Sequence, residues 1–207
     1  MSIKLNAQSG GSVALDAPTQ TTSSADLTFK LPVADGSANQ VLKTDGSGNL
    51  SFGADSGGLN ASYARLAAVK GNTTQGGSFT SGAWRTRDIT TEETDPDGIV
   101  SISSNQFTLQ AGTYHIYASC CAVGVDNHNC RIYNITDSST LLTGLANKNQ
   151  EENVSDYAHV RGQFTIAAAK TFELQHRCQT TVTTHGFGAY ASWNNNVYST
   201  IEIYKRN

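Results

Sequence analysis

The chain has 207 residues, and charged residues make up 15% of them, well below the roughly 25% of an average globular protein. Serine, threonine and asparagine contribute 21, 24 and 16 residues instead. The formal net charge of −3 argues against electrostatic binding of nucleic acid or of an anionic membrane surface. No apolar run approaches the roughly 18 residues of a membrane-spanning helix, and residues 1–11 lack a signal-peptide pattern, so neither membrane insertion nor secretion is expected.

The first 60 residues differ in composition from the rest. They contain 2 of the 17 aromatic residues and none of the four cysteines or five histidines. Their apolar residues alternate with polar ones at positions 3 and 5, at 13 and 15, and at 27, 29 and 31. A period of two indicates half-buried strands. Residues 41–52 are predicted to form a hairpin whose turn, Asp-Gly-Ser-Gly at 45–48, supplies positive φ angles.

This N-terminal segment has too few large apolar side chains to fold alone. Two interpretations are open. Residues 1–52 are either a disordered Gly/Ser-rich leader, or strands that bury their apolar face only against copies of themselves or a larger partner. The regular alternation favours the second interpretation. Residues 53–61 are small, polar and glycine-rich, and they are predicted to be a linker.

Residues 62–207 are predicted to be an all-β domain, because helical periodicity is missing from this part of the sequence. Turn signals separate about ten short apolar runs, as in a sandwich or jelly roll. The predicted strands are 63–70, 99–103, 106–110, 113–125, 130–134, 140–146, 157–166, 171–178, 188–193 and 197–204.

Several of these strands carry apolar or aromatic residues on both faces. In the strand at 113–123, one face has Tyr114 and Ile116 and the other has His115 and Tyr117. A sheet with one solvated face should alternate more cleanly. The extra apolar face therefore indicates a subunit interface, with an unusually aromatic exposed sheet as the alternative.

No cofactor is predicted. None of the five histidines has a metal-ligand spacing such as His-x-x-x-His. Oxygen ligands that lie close together can bind Ca²⁺, and Asp95 and Asp97 belong to an acidic cluster that ends in Pro-Asp-Gly. The cluster lacks the spacing of an EF-hand, so it is a weak calcium candidate, and a solvated turn is favoured.

No catalytic motif is visible, so the chain is not expected to be an enzyme. Nucleophile elbows, phosphate loops and dinucleotide fingerprints are missing. Cys120 can face Cys130 or Cys178 across strands, and buried free thiols are expected. Alternation places Cys178 on a buried face, which disfavours an activated thiol. A polysaccharide hydrolase would need two carboxylates about 5–9.5 Å apart, whereas the neighbours Glu151 and Glu152 would point to opposite sides of an extended chain.

Several segments of the second part carry a recognisable pattern, at residues 82–87, 103–116, 131–137, 160–166 and 171–178. The strongest segment is Phe-Thr-Leu at 107–109 followed by Ala-Gly-Thr-Tyr at 111–114. These segments resemble small phage-encoded proteins of marine phage genomes, whose domains look like the trimeric jelly roll of the tumour necrosis factor and complement globular-head superfamily. The strongest segment is similar to a strand start of the globular-head fold, and the resemblance spans roughly residues 62–206.

The N-terminal segment resembles leaders of phage virion fibre and appendage proteins, on residues 11–18, 31–32 and 35–52. The two resemblances together imply an all-β virion protein. A β-rich attachment or trimerisation module at 1–52 would bind other virion proteins, and a trimeric jelly-roll sandwich would be displayed at 62–207. The implied location is the virion, assembled in the host cytoplasm. A length of 207 residues leaves no room for a long shaft, so a short fibre, an appendage or a capsid decoration is implied.

The predicted function is that of a short trimeric fibre or appendage whose head contacts a host-surface glycan or protein. A capsid decoration or cement protein without a host ligand is the alternative. Ligand contacts are predicted in the loops around 72–79, 126–129, 147–156 and 193–196, since amides and an aromatic ring suit carbohydrate. The predicted ligand-binding residues are Trp193, Asn194, Asn195, Asp126 and His128. The predicted trimer-interface residues are Tyr114, Tyr117, Phe164, Tyr198 and Tyr204.

Overall fold

The structure is a computed structural model of the full chain. It describes residues 3–6, 12–15, 26, 28–38, 40–54, 61–152 and 154–206, with the backbone alone described at 3–6, 12–15 and 54. The chain divides into two units, Met1–Gly58 and Leu59–Asn207. The described residues contain only strands and irregular segments, and no helix among them is long and apolar enough to cross a membrane.

The described residues of the first unit form two hairpins. Its strands are β1 (Ile3–Asn6), β2 (Ser12–Leu15), β3 (Gln40–Thr44) and β4 (Leu50–Ala54). Strand β1 pairs with β2, and β3 pairs with β4, antiparallel in both cases. The predicted hairpin at 41–52 is thus confirmed. The predicted strand at 27–31 is wrong over its described residues, where Lys30 makes one isolated bridge to Asn49; Leu27 lies outside the described residues.

The turn between β3 and β4 is stabilised by side-chain acceptors, chiefly the Asp45 carboxylate. The Asp45 carboxylate accepts hydrogen bonds from the Ser47 amide at 2.7 Å and from the Asn49 amide at 3.1 Å. Gly46 and Gly48 have φ angles of 78° and 88°, a region in which a side chain would be strained. Apolar side chains of this unit remain exposed, among them those of Leu31 and Phe52. This exposure favours strands that are completed by another surface.

Twelve strands are found among the described residues of the second unit. They are β5 (Ala61–Lys70), β6 (Arg85–Thr86), β7 (Thr91–Thr94), β8 (Val100–Ser103), β9 (Gln106–Leu109), β10 (Gly112–Val123), β11 (Asp126–Asn134), β12 (Ser139–Thr143), β13 (Asn147–Asn149), β14 (Ser155–Ile166), β15 (Lys170–Cys178) and β16 (Asn196–Arg206). Nine of the ten predicted strands are present. The predicted strand at 188–193 is wrong, because this segment is an irregular connection before β16.

Two antiparallel sheets form the sandwich. The five-stranded sheet has the order β14-β10-β16-β5-β7. The seven-stranded sheet has the order β12-β11-β15-β9-β8, and β13 and β6 pair with β11 and β15 respectively. Neighbours in each sheet are mostly distant in sequence, and the chain crosses repeatedly between the sheets. This is the all-β jelly-roll sandwich that the sequence predicts.

The core lies between the two sheets and is filled from alternate positions of the long strands. Tyr114 and Ile116 of β10 are fully buried, while the intervening His115 is exposed. On the other sheet, Phe107 and Phe172 stack with ring centroids 5.5 Å apart. Truncating a buried phenylalanine of this kind costs about 3–5 kcal/mol, so these rings account for much of the sandwich's stability.

The strand directions define two ends of the sandwich. Strand β5 begins at Ala61, which pairs with Arg206, and it ends at Lys70, which pairs with Asn196. We call the end that contains Ala61 and Arg206 the proximal end. The opposite, distal end contains the connections at 71–84, 124–125, 150–154 and 179–195. All four predicted ligand loops lie at or next to the distal end.

Candidate functional site

The outer face of the five-stranded sheet carries rings that no other part of the second unit covers completely. We call this surface the aromatic face; its rings belong to Tyr63, His115, Tyr117, Tyr157, His159 and Tyr204. The side chains of Tyr157 and Tyr204 are 45% and 36% exposed. A row of large rings open to solvent is typical of a surface that binds another protein chain.

Cross-strand contacts hold these rings in place. The rings of Tyr63 and Tyr204, which are register partners, have centroids 4.9 Å apart. The Tyr117 hydroxyl lies 3.0 Å from His159 Nδ1, and the two rings stack at 5.6 Å. Cross-strand aromatic pairs of this kind stabilise a sheet and also fix the shape of its outer surface. The aromatic face is therefore preorganised.

A groove of about 380 Å³ borders the aromatic face at the β14 edge, and Tyr117, Leu145 and His159 contribute to its lining. The Leu145 amide donates to the His159 carbonyl at 2.9 Å, although its side chain is 73% exposed. The preceding residue must be small, because a Cβ on Gly144 would lie 2.5 Å from that carbonyl oxygen. An exposed leucine beside a groove extends the apolar part of this surface.

The predicted interface residues divide into two groups. Tyr117 and Tyr204 lie on the aromatic face, as expected from their alternation. The prediction is wrong for Tyr114 and Phe164, because both side chains are buried in the core, where their rings stack 5.8 Å apart. Neither side chain is available to a second subunit.

The prediction for Tyr198 is also wrong. The pairing of β16 with β5 shifts register between Val197 and Thr200, so simple alternation fails there. The ring of Tyr198 is buried with Ala68 and Cys121, and its hydroxyl donates to the Thr74 carbonyl at 2.7 Å. Tyr198 therefore fixes the 71–84 connection against the sheet.

The distal end is organised around a buried arginine that no pattern in the sequence indicates. Arg87 is 1% exposed, and its guanidinium donates to Ser199 Oγ at 2.8 Å and to the carbonyls of Cys121, Tyr198 and Phe187 at 3.2, 2.9 and 3.0 Å. The guanidinium also lies 4.0 Å from the centre of the Phe187 ring. None of these partners is a carboxylate, so carbonyl dipoles and the π system balance the buried charge.

Two buried histidines lie next to this arginine. His128 Nδ1 and His176 Nε2 are 3.0 Å apart, and the Phe79 ring packs 4.6 Å from the ring of His176. Burial lowers the pKa of His176 well below its ordinary value, and Arg87 and His128 lower it further. Burial also lowers the pKa of His128. Both imidazoles are therefore neutral near pH 7.

This pair predicts a loss of stability in acid. Below about pH 6.5 the unfolded chain binds protons at both histidines while the folded chain resists them, so unfolding becomes more favourable as the pH falls. Each histidine that stays neutral adds a slope of up to about 1.4 kcal/mol per pH unit. Urea unfolding of the full chain between pH 7.5 and 5.5 measures this slope. His176→Gln should flatten it, while the control His185→Gln should not; parallel slopes in all three proteins would contradict the assignment.

The predicted ligand-binding residues of the last connection project from the distal end. Trp193 is 83% exposed, and Asn194 and Asn195 are exposed beside it. The base of this loop is tied down: the Tyr190 amide donates to Gln75 Oε1, and the Ala191 amide donates to Asn196 Oδ1 at 2.7 Å. A fixed base with exposed aromatic and amide side chains is a suitable contact surface.

The two other predicted ligand residues have different roles. Asp126 begins β11, and hydrogen bonds from Thr180 and Gln150 lower the pKa of its carboxyl group. The prediction for His128 is wrong, because its side chain is 3% exposed and faces the interior. His128 is buried below the surface, although it contributes to the lining of a groove beside this end of the seven-stranded sheet.

The acidic cluster has a structural explanation. The two carboxylate oxygens of Asp95 accept hydrogen bonds from the amides of Ile99 and Val100 at 2.9 and 3.0 Å, while Asp97 is exposed in the turn. Among the described residues, no three His, Cys, Asp or Glu side chains are grouped as a metal site. Asp95 is thus engaged in holding the turn before β8, which weakens the calcium hypothesis.

The four cysteines are free and buried. Cys120 and Cys130 face each other across the core, and their mutual hydrogen bond, together with burial, raises the pKa of Cys130. Burial also raises the pKa of Cys178 to about 11. A thiol with so high a pKa is protonated at neutral pH and is a poor nucleophile.

No protein-family model matches this chain, and no curated protein matches it. Among solved structures, the globular domain of a zebrafish complement 1qA protein is similar at 12% identity and a TM-score of 0.46, over 72% of this chain and 100% of that one. A crystal structure of murine APRIL at pH 8.0 is similar at 9% identity and a TM-score of 0.43, over 70% of this chain and 99% of that one.

Proposed function

We propose that the protein is a non-enzymatic display protein whose jelly-roll heads associate as a homotrimer through the aromatic face. The observation that carries this proposal is the row of rings on that face, held in place by contacts such as Tyr63–Tyr204 and yet open to solvent. Burial of tyrosine rings contributes strongly to association because each ring covers a large area at little entropic cost.

The composition of the aromatic face suits a repeated contact between identical subunits. Tyrosine and histidine rings at its centre are bordered by charged side chains of both signs, including Arg65, Arg161 and Glu202. An aromatic centre with a charged rim is the usual anatomy of a specific interface. The exposed Leu145 supplies an apolar group at the β14 edge of the sheet, where a neighbouring subunit would pack.

The ends of the sandwich fit a display role. Strand β5, the first strand of the second unit, begins at the proximal end, and the projecting Trp193 lies at the opposite end of the sandwich. Exposed apolar residues of the first unit, such as Leu31 and Leu42, would be covered on attachment to other virion proteins. We therefore propose that residues 1–52 anchor the trimer on a phage virion and that the distal ends point outward.

The ligand proposed for the distal end is a glycan or protein of the host surface. Trp193 offers a flat ring, and Asn194 and Asn195 offer amide donors and acceptors that suit sugar hydroxyls. Three copies on one trimer would raise the avidity for a surface with repeated ligands. A structural decoration protein without a host ligand is the second candidate, favoured by the exposed apolar side chains of the first unit.

The mass in solution tests the trimer. Size-exclusion chromatography with light scattering on the full chain should give three copies, or about 66 kDa from a chain mass of 22.0 kDa. The same measurement on residues 61–207, which contain the whole sandwich core, separates two mechanisms. A trimeric fragment assigns assembly to the second unit, as the aromatic-face interface requires. A monomeric fragment with a trimeric full chain assigns assembly to the first unit and overturns the aromatic-face interface. Monomers in both samples would overturn the proposal.

A further inference from the structure

The outer face of the seven-stranded sheet carries a row of polar side chains that are bonded to one another. Glu173 accepts from Gln106 Nε2 at 3.0 Å, and from Thr86 Oγ1 and Gln175 Nε2 at 2.8 and 2.6 Å. Arg131 Nε donates to Gln175 Oε1 at 2.9 Å. Over this stretch the sheet satisfies its own polar groups, which leaves little for a ligand to bind.

This side-chain hydrogen bonding stops at the next outward-facing pair of register partners toward the distal end. Arg131 is the register partner of Gln175 and bonds to it, whereas Asn129 is the register partner of Arg177 and does not. Within the described part of the chain, the Arg177 guanidinium has no hydrogen bond or ion pair, and Asn129 Oδ1 is a buried acceptor without a partner. A buried polar atom without a partner costs about 1–3 kcal/mol, so this pair is suited to an external partner.

These two side chains line an open groove of about 540 Å³, which is within the size range of small-ligand sites. Asn127, Gln179 and Trp84 also line it. Asn127 Nδ2 donates to Gln179 Oε1 at 2.6 Å, which leaves the Asn127 oxygen and the Gln179 nitrogen for other contacts. The Trp84 ring is held by the guanidinium of Arg131, 4.3 Å from the ring centre.

We propose that this groove binds an acidic saccharide, with the sugar carboxylate on Arg177 and a sugar hydroxyl donating to Asn129 Oδ1. The planar guanidinium can hold a carboxylate through two parallel hydrogen bonds. The Asn129 oxygen requires a donor, which a sugar hydroxyl supplies and a carboxylate does not. The amides of Asn127 and Gln179 and the Trp84 ring would contact the rest of the sugar.

The local charge favours an anion. Arg85, Arg131 and Arg177 lie on or beside this part of the sheet, and the nearest carboxylate of the polar row, Glu173, is occupied by three hydrogen bonds. The site is separate from the projecting Trp193 loop and from the aromatic face. The inference therefore goes beyond the proposed trimer and its distal contacts.

Fluorine NMR of the full chain labelled with 5-fluorotryptophan tests this site, because the two tryptophans give two resonances and Trp193→Phe assigns them. Trigalacturonate is titrated as the acidic probe, maltotriose as the neutral one and triglutamate as an acidic peptide. We expect trigalacturonate to shift the Trp84 resonance and to leave the Trp193 resonance in place, with at least tenfold weaker binding in Arg177→Gln and unchanged binding in the control Arg206→Gln.

Each alternative result contradicts the proposal in a different way. A shift of Trp193 alone would place the saccharide in the distal loop, which supports the proposed function but overturns this site. Equal binding of maltotriose would overturn the requirement for an acid, and tighter binding of triglutamate would replace the saccharide with a peptide. No shift with any probe, or unchanged binding in Arg177→Gln whose free spectrum matches the wild type, would also overturn it.

Discussion

Replacing Arg87 with methionine is expected to lower the free energy of unfolding by about 3–5 kcal/mol, because several buried acceptors lose their donor and each unsatisfied one costs about 1–3 kcal/mol. The side chain donates four hydrogen bonds, to Ser199 Oγ and to three main-chain carbonyls. Methionine fills part of the volume but donates nothing, so these acceptors lose their donor in a site without solvent. Urea unfolding of the full chain measures the loss.

Two further substitutions show whether the several N–H donors of the Arg87 guanidinium, rather than its charge, provide this stability. Arg87→Lys keeps the charge but has a single ammonium group, which cannot reach four separate acceptors, so it should lose at least about 2 kcal/mol. Arg85, two residues earlier, bonds to the carbonyls of Thr80 and Ser81 nearer the surface. Arg85→Lys should change stability by less than about 0.5 kcal/mol. An Arg87→Met protein within 1 kcal/mol of the wild type would refute this role.

Arg87→Met should also disturb the positions of the distal connections. Arg87 holds the Phe187 carbonyl and packs on the Phe187 ring, which in turn lies 4.4 Å from the Phe79 ring. Phe79 and Val182 exchange two main-chain hydrogen bonds of 2.9 and 3.1 Å. The connections at 71–84 and 179–195 are thus joined through a stack that begins at Arg87. The positions of the distal connections therefore depend on Arg87, although Arg87 itself is buried below the surface.

Local alternation was sufficient to predict most of the sandwich. In β10 the inward positions Tyr114 and Ile116 and the outward positions His115 and Tyr117 follow the period of two without interruption. The hairpin of the first unit followed from its Asp-Gly turn. Both signals are local, since side-chain period and turn geometry depend on a few consecutive residues.

Features set by distant contacts could not be predicted. Arg87 has no apolar character, and its burial depends on partners 34 to 112 residues away. Strands β7 and β13 are polar and short, and they exist because each pairs with a long neighbouring strand. The shift of register before Thr200 moved Tyr198 out of simple alternation. In each case tertiary structure overrides the local pattern.

A positive charge on the aromatic face should separate the subunits. Tyr204→Lys places an ammonium group beside the Tyr63 ring, so the proposed trimer would have to bury three like charges near one another. In the isolated subunit the new charge is tolerated because the Glu202 carboxylate lies beside it; this carboxylate accepts a hydrogen bond from the Tyr204 hydroxyl at 3.2 Å in the wild type. We therefore expect a folded monomer, seen by light scattering as a fall from three copies to one.

Tyr190→Lys is the matched control, because Tyr190 is 43% exposed, close to the 36% of Tyr204, but lies in the distal 189–195 loop. Its mass should remain that of three copies, since the proposed assembly leaves the distal end free. If Tyr190→Lys alone dissociated the protein, the interface would lie among the distal loops, and Trp193 would be a subunit contact. If neither variant changed the mass, the rings of the aromatic face would be merely exposed, and assembly would have to depend on the first unit, where the apolar side chains of Leu31 and Phe52 are uncovered.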